Sequence, residues 1–194
     1  MRLNLCIDID GTITEPYYWL KLANQYFGTN VSPSGITCYE IHKVLNIQIE
    51  EYLNFYNQLG ERLHLEAEVR QDAGIILKRL EEQHNLHYVT ARESKMTHVT
   101  KEWIKMHDLP KVGLHILGSH YKVKKAEELE CDIFIEDRYE NALELALAGF
   151  KVLLIDCNYN RSPLIYGITR VYSWIDIYEE ITAYVAREKS KKIA

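Results

Sequence analysis

The stretch LNLCIDIDGT, residues 3–12, decides how the rest of the chain is read. Residues 3–9 form an apolar, β-prone run that ends in Asp10-Gly11-Thr12, a pattern that predicts a buried strand stopping at a turn. Asp8 and Asp10 stand at that end, and a two-residue spacing in extended chain sends both carboxylates to the same side. Gly11 lets the chain turn sharply and leaves backbone close to whatever the acids hold. Taken alone, the same residues also describe a loop rich in turn formers.

Working outward, runs of the same kind recur at residues 86–89, 113–117, 131–135 and 151–155. Between them the apolar residues repeat at helical spacing over 72–83, 94–107, 122–130 and 139–148, with a final helix over 174–187. Strand alternating with helix predicts an α/β fold: a Rossmann-like parallel sheet covered on both faces, three layers in all. Asp72 and Ser94 are placed as helix N-caps, and Gly149 as the glycine that ends a helix before the fifth strand. Residues 15–69 break the rhythm. They hold amphipathic patterns at 17–27, 39–45 and 49–59, divided by the turn-rich NVSPSG of residues 30–35, and no convincing strand. The chain therefore divides into a core, residues 1–14 and 70–194, and a small helical insertion, 15–69, after the first strand.

The composition, 47% hydrophobic and 26% charged over 194 residues, is that of an ordinary globular chain. A net charge of −5 argues against the broad basic surface that holds a nucleic acid polymer, although a local group of cations and a metal can still bind a small phosphorylated compound. Cys6, Cys38, Cys131 and Cys157 form no CxxC pair and no zinc-ligand spacing with the histidines, and read as buried thiols. No run approaches the roughly 20 apolar residues of a membrane span. The N-terminus enters a strand without a signal-peptide pattern, so a reducing, cytoplasmic setting with no membrane partner is expected. Arg187, Lys189, Lys191 and Lys192 read as the solvated end of the last helix, where the helix dipole favours cations.

Ligands of open parallel sheets collect beyond the carboxyl ends of the strands. Thr90 in YVTAR (88–92), Lys122, and Glu136 with Asp137 in FIEDR (134–138) all fall on the same edge as Asp8 and Asp10. Singly, each has a plain structural reading: Thr90 as a helix-entry residue, Lys122 as a solvated lysine, Glu136-Asp137 as a turn. Together, two acidic clusters, a hydroxyl and an ammonium make a site for a magnesium ion and a phosphoryl group. The cation offsets the repulsion between acids and phosphate.

At this point the chain resembles the haloacid dehalogenase (HAD) superfamily phosphatases, whose four motifs stand here in order: DIDGT (8–12), Thr90 in YVTAR, Lys122 in GSHYK (118–122) and IED (135–137). It is most similar to the bacterial group related to the 5'(3')-deoxyribonucleotidases, through ITCYEIHKVLNI (36–47), GERLHLEA (60–67), GSHYK and VLLIDCNYNR (152–161). The resemblance implies a HAD core with a helical cap, Mg2+ as cofactor, and a small phosphorylated substrate such as a nucleoside monophosphate. Under it, Asp8 is the nucleophile and Asp10 the acid and base; Asp8, the Asp10 backbone carbonyl, Glu136 and Asp137 face the metal. Thr90 and Lys122 hold the phosphoryl oxygens, with Thr12, Ala91 and Arg92 beside the substrate. Tyr121 stands where related sequences carry an acid before the lysine, which leaves Lys124 as a second candidate.

Some assignments stay open on sequence. Arg92 either reaches a phosphate or base, or makes a surface salt bridge. Tyr17, Tyr18 and Trp19 either stack on a nucleobase or form the apolar core of the cap. The chain could pair as a homodimer. Rival functions are a sugar-phosphate phosphatase or phosphomutase of the same superfamily, and a phospho-receiver or non-catalytic binding module on a similar sheet. A receiver, however, carries its phosphorylated aspartate on the third strand and has no insertion after the first.

Overall fold

A computed structural model describes residues 1–191, so Lys192 of the basic C-terminal run lies outside the described residues. The sheet is built outward from β1 (Asn4–Ile7), which pairs with β2 (Asn85–Thr90) on one side and β4 (Ile133–Glu136) on the other. β3 (Gly113–Ile116) lies beyond β2, while β5 (Lys151–Ile155) and β6 (Ile168–Val171) lie beyond β4; every pairing is parallel. Parallel strands need helical crossovers, and these cover both faces.

Alternation along the strands feeds two cores. Leu5, Ile7, Ile133, Ile135, Leu153 and Ile155 face α4 (Ala73–Gln83), α5 (Thr97–Met106) and α8 (Trp174–Lys191), whose Leu77, Trp103 and Ile177 bury against them. Cys6, Phe134, Val152 and Leu154 face α6 (Val123–Glu128) and α7 (Tyr139–Leu147). Because central strands are buried on both sides, they read as continuous apolar runs. This is the three-layer α/β architecture expected from the sequence.

A third apolar cluster, with Trp19, Ala23, Leu45, Phe55 and Leu63, joins α1 (Leu20–Phe27), α2 (Ile41–Leu45) and α3 (Ile49–Leu65). The chain leaves the sheet and returns to it side by side. Thr14 and Val69 form an antiparallel bridge, with Glu15 N donating to Glu68 O and Arg70 N to Ile13 O, both at 2.8 Å. Trp103 Nε1 donates to Ala67 O at 2.7 Å and fixes the return point against α5.

Several boundaries differ from the sequence reading. β6 was not expected: only its end residues are buried, so the short edge strand lacks the continuous apolar signature. β1 stops at Ile7 rather than 9, because the Ile9 carbonyl accepts from the amides of Ile13 and Thr14 and starts a turn. α1 begins at Leu20, since residues 17–19 form a turn closed by Leu20 N on Tyr17 O. α3 continues past Leu59 to Leu65, with Gly60 where a Cβ would meet the Met96 methyl at 2.9 Å. Asp72 precedes α4 but has φ +63° and makes no side-chain cap bond; Ser94 opens a 3₁₀ turn, 94–96, and α5 starts at Thr97. Gly149, at φ +96°, does follow α7 as expected. Three cysteines are buried, but Cys38 is only half-buried, and all four are free thiols. Among the described residues no helix is long and apolar enough to cross a membrane.

Candidate active site

The strand order reverses between β1 and β4, the place where such sheets open a crevice. Asp8 N donates to Ile135 O at 3.0 Å, which carries the ladder one residue past β1 and sets Asp8 beside Glu136 and Asp137. One oxygen from each of these three buried carboxylates lies within 4.8 Å of the others, the one such group among the described residues. Lys122, just before α6, is buried and donates to Asp8 Oδ1 and to Glu136 Oε1, the latter at 2.7 Å. Lys124 points to solvent, so geometry chooses Lys122.

The three acids are bonded differently. Glu136 is saturated: Oε1 accepts from Lys122 and from Asn141 Nδ2 (2.7 Å), and Oε2 from the amides of Asp137 (2.8 Å) and Arg138 (2.9 Å). Asp137 accepts from Thr12 Oγ1 at 3.3 Å and from the Tyr159 hydroxyl. Asp8 has Lys122 on Oδ1, and no hydrogen bond among the described residues reaches Oδ2.

Burial pushes the Asp8 carboxyl up to about 7; Lys122 opposes this, while Glu136 and Asp10 add to it. Burial, then Glu136 and Asp8, hold Asp137 well above the usual range. Glu136 lies below it, because against burial the Lys122 ammonium and the hydrogen bonds prevail. Burial would depress Lys122, but Asp8 and Glu136 hold it above its ordinary value. Three converging acids facing one ammonium leave excess negative charge on hard oxygens, and a divalent cation such as magnesium fits that donor set.

Asp10 goes elsewhere. Its carboxylate is not in this cluster but is gripped by Arg92, with Nε on Oδ2 at 2.8 Å and Nη2 on Oδ1 at 2.6 Å, and it accepts from the Tyr18 hydroxyl at 2.9 Å. Against burial, Arg92 and then His64 hold Asp10 well below the usual range. The two-residue alternation does not bring both acids together because the chain has left the sheet by then. Gly11 sits at φ +81°, where a Cβ would lie 2.7 Å from the Tyr159 hydroxyl and against the Asp137 carboxylate. Arg92, at 4% exposure, is buried and pairs with a partly buried Asp10 rather than in a surface salt bridge.

A cavity of about 440 Å³ opens beside the acids, with Asp10, Asp137, Ala91 and Arg92 in its wall, and Tyr18 and Trp19 facing them from residues 15–69. Tyr17 is not in that wall: its hydroxyl accepts from Asn158 N at 2.9 Å, and its ring meets Tyr159 edge-on. Thr12 is fully buried, its hydroxyl on Asp137, and Thr90 is 1% exposed with its hydroxyl accepting from Arg92 N at 3.2 Å. Sequence reasoning missed Tyr159, Tyr39 and His64, which also line the cavity. The signal for His64 was present, since Tyr56, Gly60 and His64 recur every four residues on one face of α3.

A doubly wound parallel sheet with acids from the first and fourth strands at its switch point, and a lysine between them, defines a HAD-superfamily hydrolase. The likeness to solved structures gives the same fold: YfnB from Bacillus subtilis, described as a candidate HAD-hydrolase and bound to magnesium, aligns with a TM-score of 0.64 at 14% identity over 94% of this chain and 100% of that one. A haloacid dehalogenase-like hydrolase from Xanthomonas campestris aligns at 0.65 and 9% identity, over 96% and 97%. Residues 2–189 match the family of "5' nucleotidase, deoxy (Pyrimidine), cytosolic type C protein", and the chain belongs to this family of phosphatases. A nucleotidase of Clostridium acetobutylicum is 49% identical over 91% of this chain and 92% of its own. A Bacillus subtilis protein described as a candidate nucleotidase is 35% identical over 90% and 91%.

Proposed function

We propose that this phosphatase hydrolyses nucleoside 5'-monophosphates, deoxynucleotides included, through an aspartyl-phosphate on Asp8, with magnesium as cofactor. The observation that carries this reading is the asymmetry of Asp8: Lys122 holds Oδ1, and Oδ2 carries no hydrogen bond among the described residues. Oδ2 attacks phosphorus and the ester P–O bond breaks; Asp10, ionised in the free protein, takes the proton of the phosphate monoanion and passes it to the leaving alkoxide. Water then attacks the phosphoenzyme, the P–O bond to Asp8 breaks, and Asp10 takes the water proton and gives it up to the departing phosphate, which returns it to its ionised state. Lys122 offsets negative charge on Asp8 and the phosphoryl oxygens.

Asp8 and Asp137 are the side chains that would hold the metal. Glu136, with both oxygens saturated, orients Lys122 and Asp137 instead. The bound ion would neutralise charge on the phosphoryl oxygens; magnesium in the YfnB structure supports this choice. We take residues 15–69 as a cap over a core of 1–14 and 70–194, since Tyr18, Trp19, Tyr39, Tyr52 and Tyr56 of that segment make most of the cavity's aromatic wall, facing Tyr159 of the core. Nucleotide specificity is supported by the family and by the named activity of the Clostridium relative. Four free thiols suit a reducing compartment, the cytoplasm.

The test is phosphate release from a panel of nucleoside 5'-monophosphates and sugar phosphates, with magnesium and again with EDTA. Nucleotides should turn over, EDTA should abolish turnover, and Asp8→Asn should lower it by at least about 10³-fold. Turnover of sugar phosphates alone would overturn the substrate; turnover surviving in Asp8→Asn would overturn the nucleophile.

A further inference from the structure

The carboxylate of Asp10 is held from two parts of the chain. From the core, Arg92 grips both oxygens and is itself fixed by Nη1 on Thr100 Oγ1 at 2.9 Å. From residues 15–69, the Tyr18 hydroxyl reaches Oδ1 at 2.9 Å, His64 Nδ1 lies 3.3 Å from that hydroxyl, and the Tyr56 hydroxyl lies 2.8 Å from His64 Nε2. His64 is 4% exposed, with a phenol at each ring nitrogen.

The proton count gives this chain a direction. An ionised Asp10 only accepts, so Tyr18 spends its one proton on Oδ1 and its oxygen is left to accept from His64. That requires the imidazole proton on Nδ1, which leaves Nε2 to accept from Tyr56. One tautomer therefore satisfies all three links, and His64 Nδ1 at 3.5 Å from Asp10 Oδ1 is consistent with it. Arg92 sets the plane of the carboxylate, and the tyrosine–histidine chain sets its tilt.

We propose that His64 is a positioning residue for Asp10: acting through Tyr18, it orients the carboxylate that exchanges the proton, and it makes that orientation depend on how α3 is seated. This rests on the proposed roles of Asp8 and Asp10. A buried histidine that merely packs α3 would affect all substrates alike. A positioning histidine affects most the substrate whose leaving group most needs a proton.

The experiment measures phosphoenzyme formation by rapid quench, in the full chain with magnesium, on two substrates. Thymidine 5'-monophosphate expels a poor alkoxide leaving group, whereas p-nitrophenyl phosphate expels a stable phenolate. His64→Ala should slow the nucleotide by about 10- to 100-fold, with p-nitrophenyl phosphate slowed about tenfold less and KM little changed. His64→Asn, which keeps an N–H near the Nδ1 position, should recover most of the rate. Tyr18→Phe should match His64→Ala, and the double variant should be no worse than either. Equal losses on both substrates, multiplicative losses in the double variant, or a change in KM alone would overturn the proposal. If His64→Ala does not fold, Tyr18→Phe carries the same expectation by itself. If the unsubstituted protein forms no phosphoenzyme, the proposed function falls with it; if it does and the variants behave like it, the role of His64 alone falls.

Discussion

Replacing Lys122 by methionine tests the electrostatic centre of the site with almost no change in volume. The ammonium is 2% exposed and bonded to two carboxylates that are themselves buried, Asp8 at 5% and Glu136 at 0% exposure. Taking one partner out of a buried ion pair strands the other charge, at a cost of about 3–5 kcal/mol. An ordinary domain has about 5–15 kcal/mol in total, so the variant should fold with a reduced margin. Urea unfolding at neutral pH in EDTA measures the loss directly. Adding Glu136→Gln removes one stranded charge while keeping an acceptor for the Asp137 and Arg138 amides, so the double variant should lie about 2 kcal/mol above the sum of the singles.

Activity gives a second reading of the same substitution. Loss of one preorganised cation at the reacting phosphate should lower phosphate release by about 10²–10³-fold. Lys124→Met is the control: that side chain is exposed, so its stability should stay within about 0.5 kcal/mol of the parent and its activity close to it. A Lys122→Met protein within about 1 kcal/mol of the parent, or a Lys124→Met protein equally damaged, would refute the assignment of the buried cation.

Gly11→Ala combines a left-handed backbone cost of about 1–2 kcal/mol with a methyl directed at Asp137 and Tyr159; it should fold, yet lose magnesium-dependent turnover, as a magnesium titration of activity would show. His84 accepts from Leu3 N at 3.3 Å, and burial, with Arg2 and the N-terminal charge, holds its imidazole below the ordinary value. Its contribution is therefore complete above the unfolded value of about 6.5 and is lost as pH falls through the lower folded value. His84→Asn should narrow the gap between urea midpoints at pH 7.5 and pH 5; an unchanged gap would refute the role.

What was legible in the sequence follows from how each residue is placed. Asp8, Lys122, Glu136 and Asp137 stand at the ends of parallel strands or just before a crossover helix, and topology alone sends those positions to one edge. The central strands β1, β4 and β5 announced themselves because burial on both faces leaves them mostly apolar, whereas the edge strand β3 was read from its short apolar run although none of its residues is buried. The short edge strand β6, buried only at Ile168 and Val171, gave no such signal. The partner of Asp10 is of another kind: Arg92 lies 82 residues away, and the pair exists because two side chains meet, not because a repeat aligns them. The same holds for Tyr159 on Asp137 and for the Tyr18–His64–Tyr56 chain. Two aspartates two residues apart thus look equivalent in DIDGT, yet one is paired with a lysine among acids and the other with an arginine among phenols. Their protonation is pushed in opposite directions, Asp8 up to about 7 and Asp10 well below its ordinary range. The different partners of the two carboxylates come from tertiary pairing, which no period in the sequence encodes.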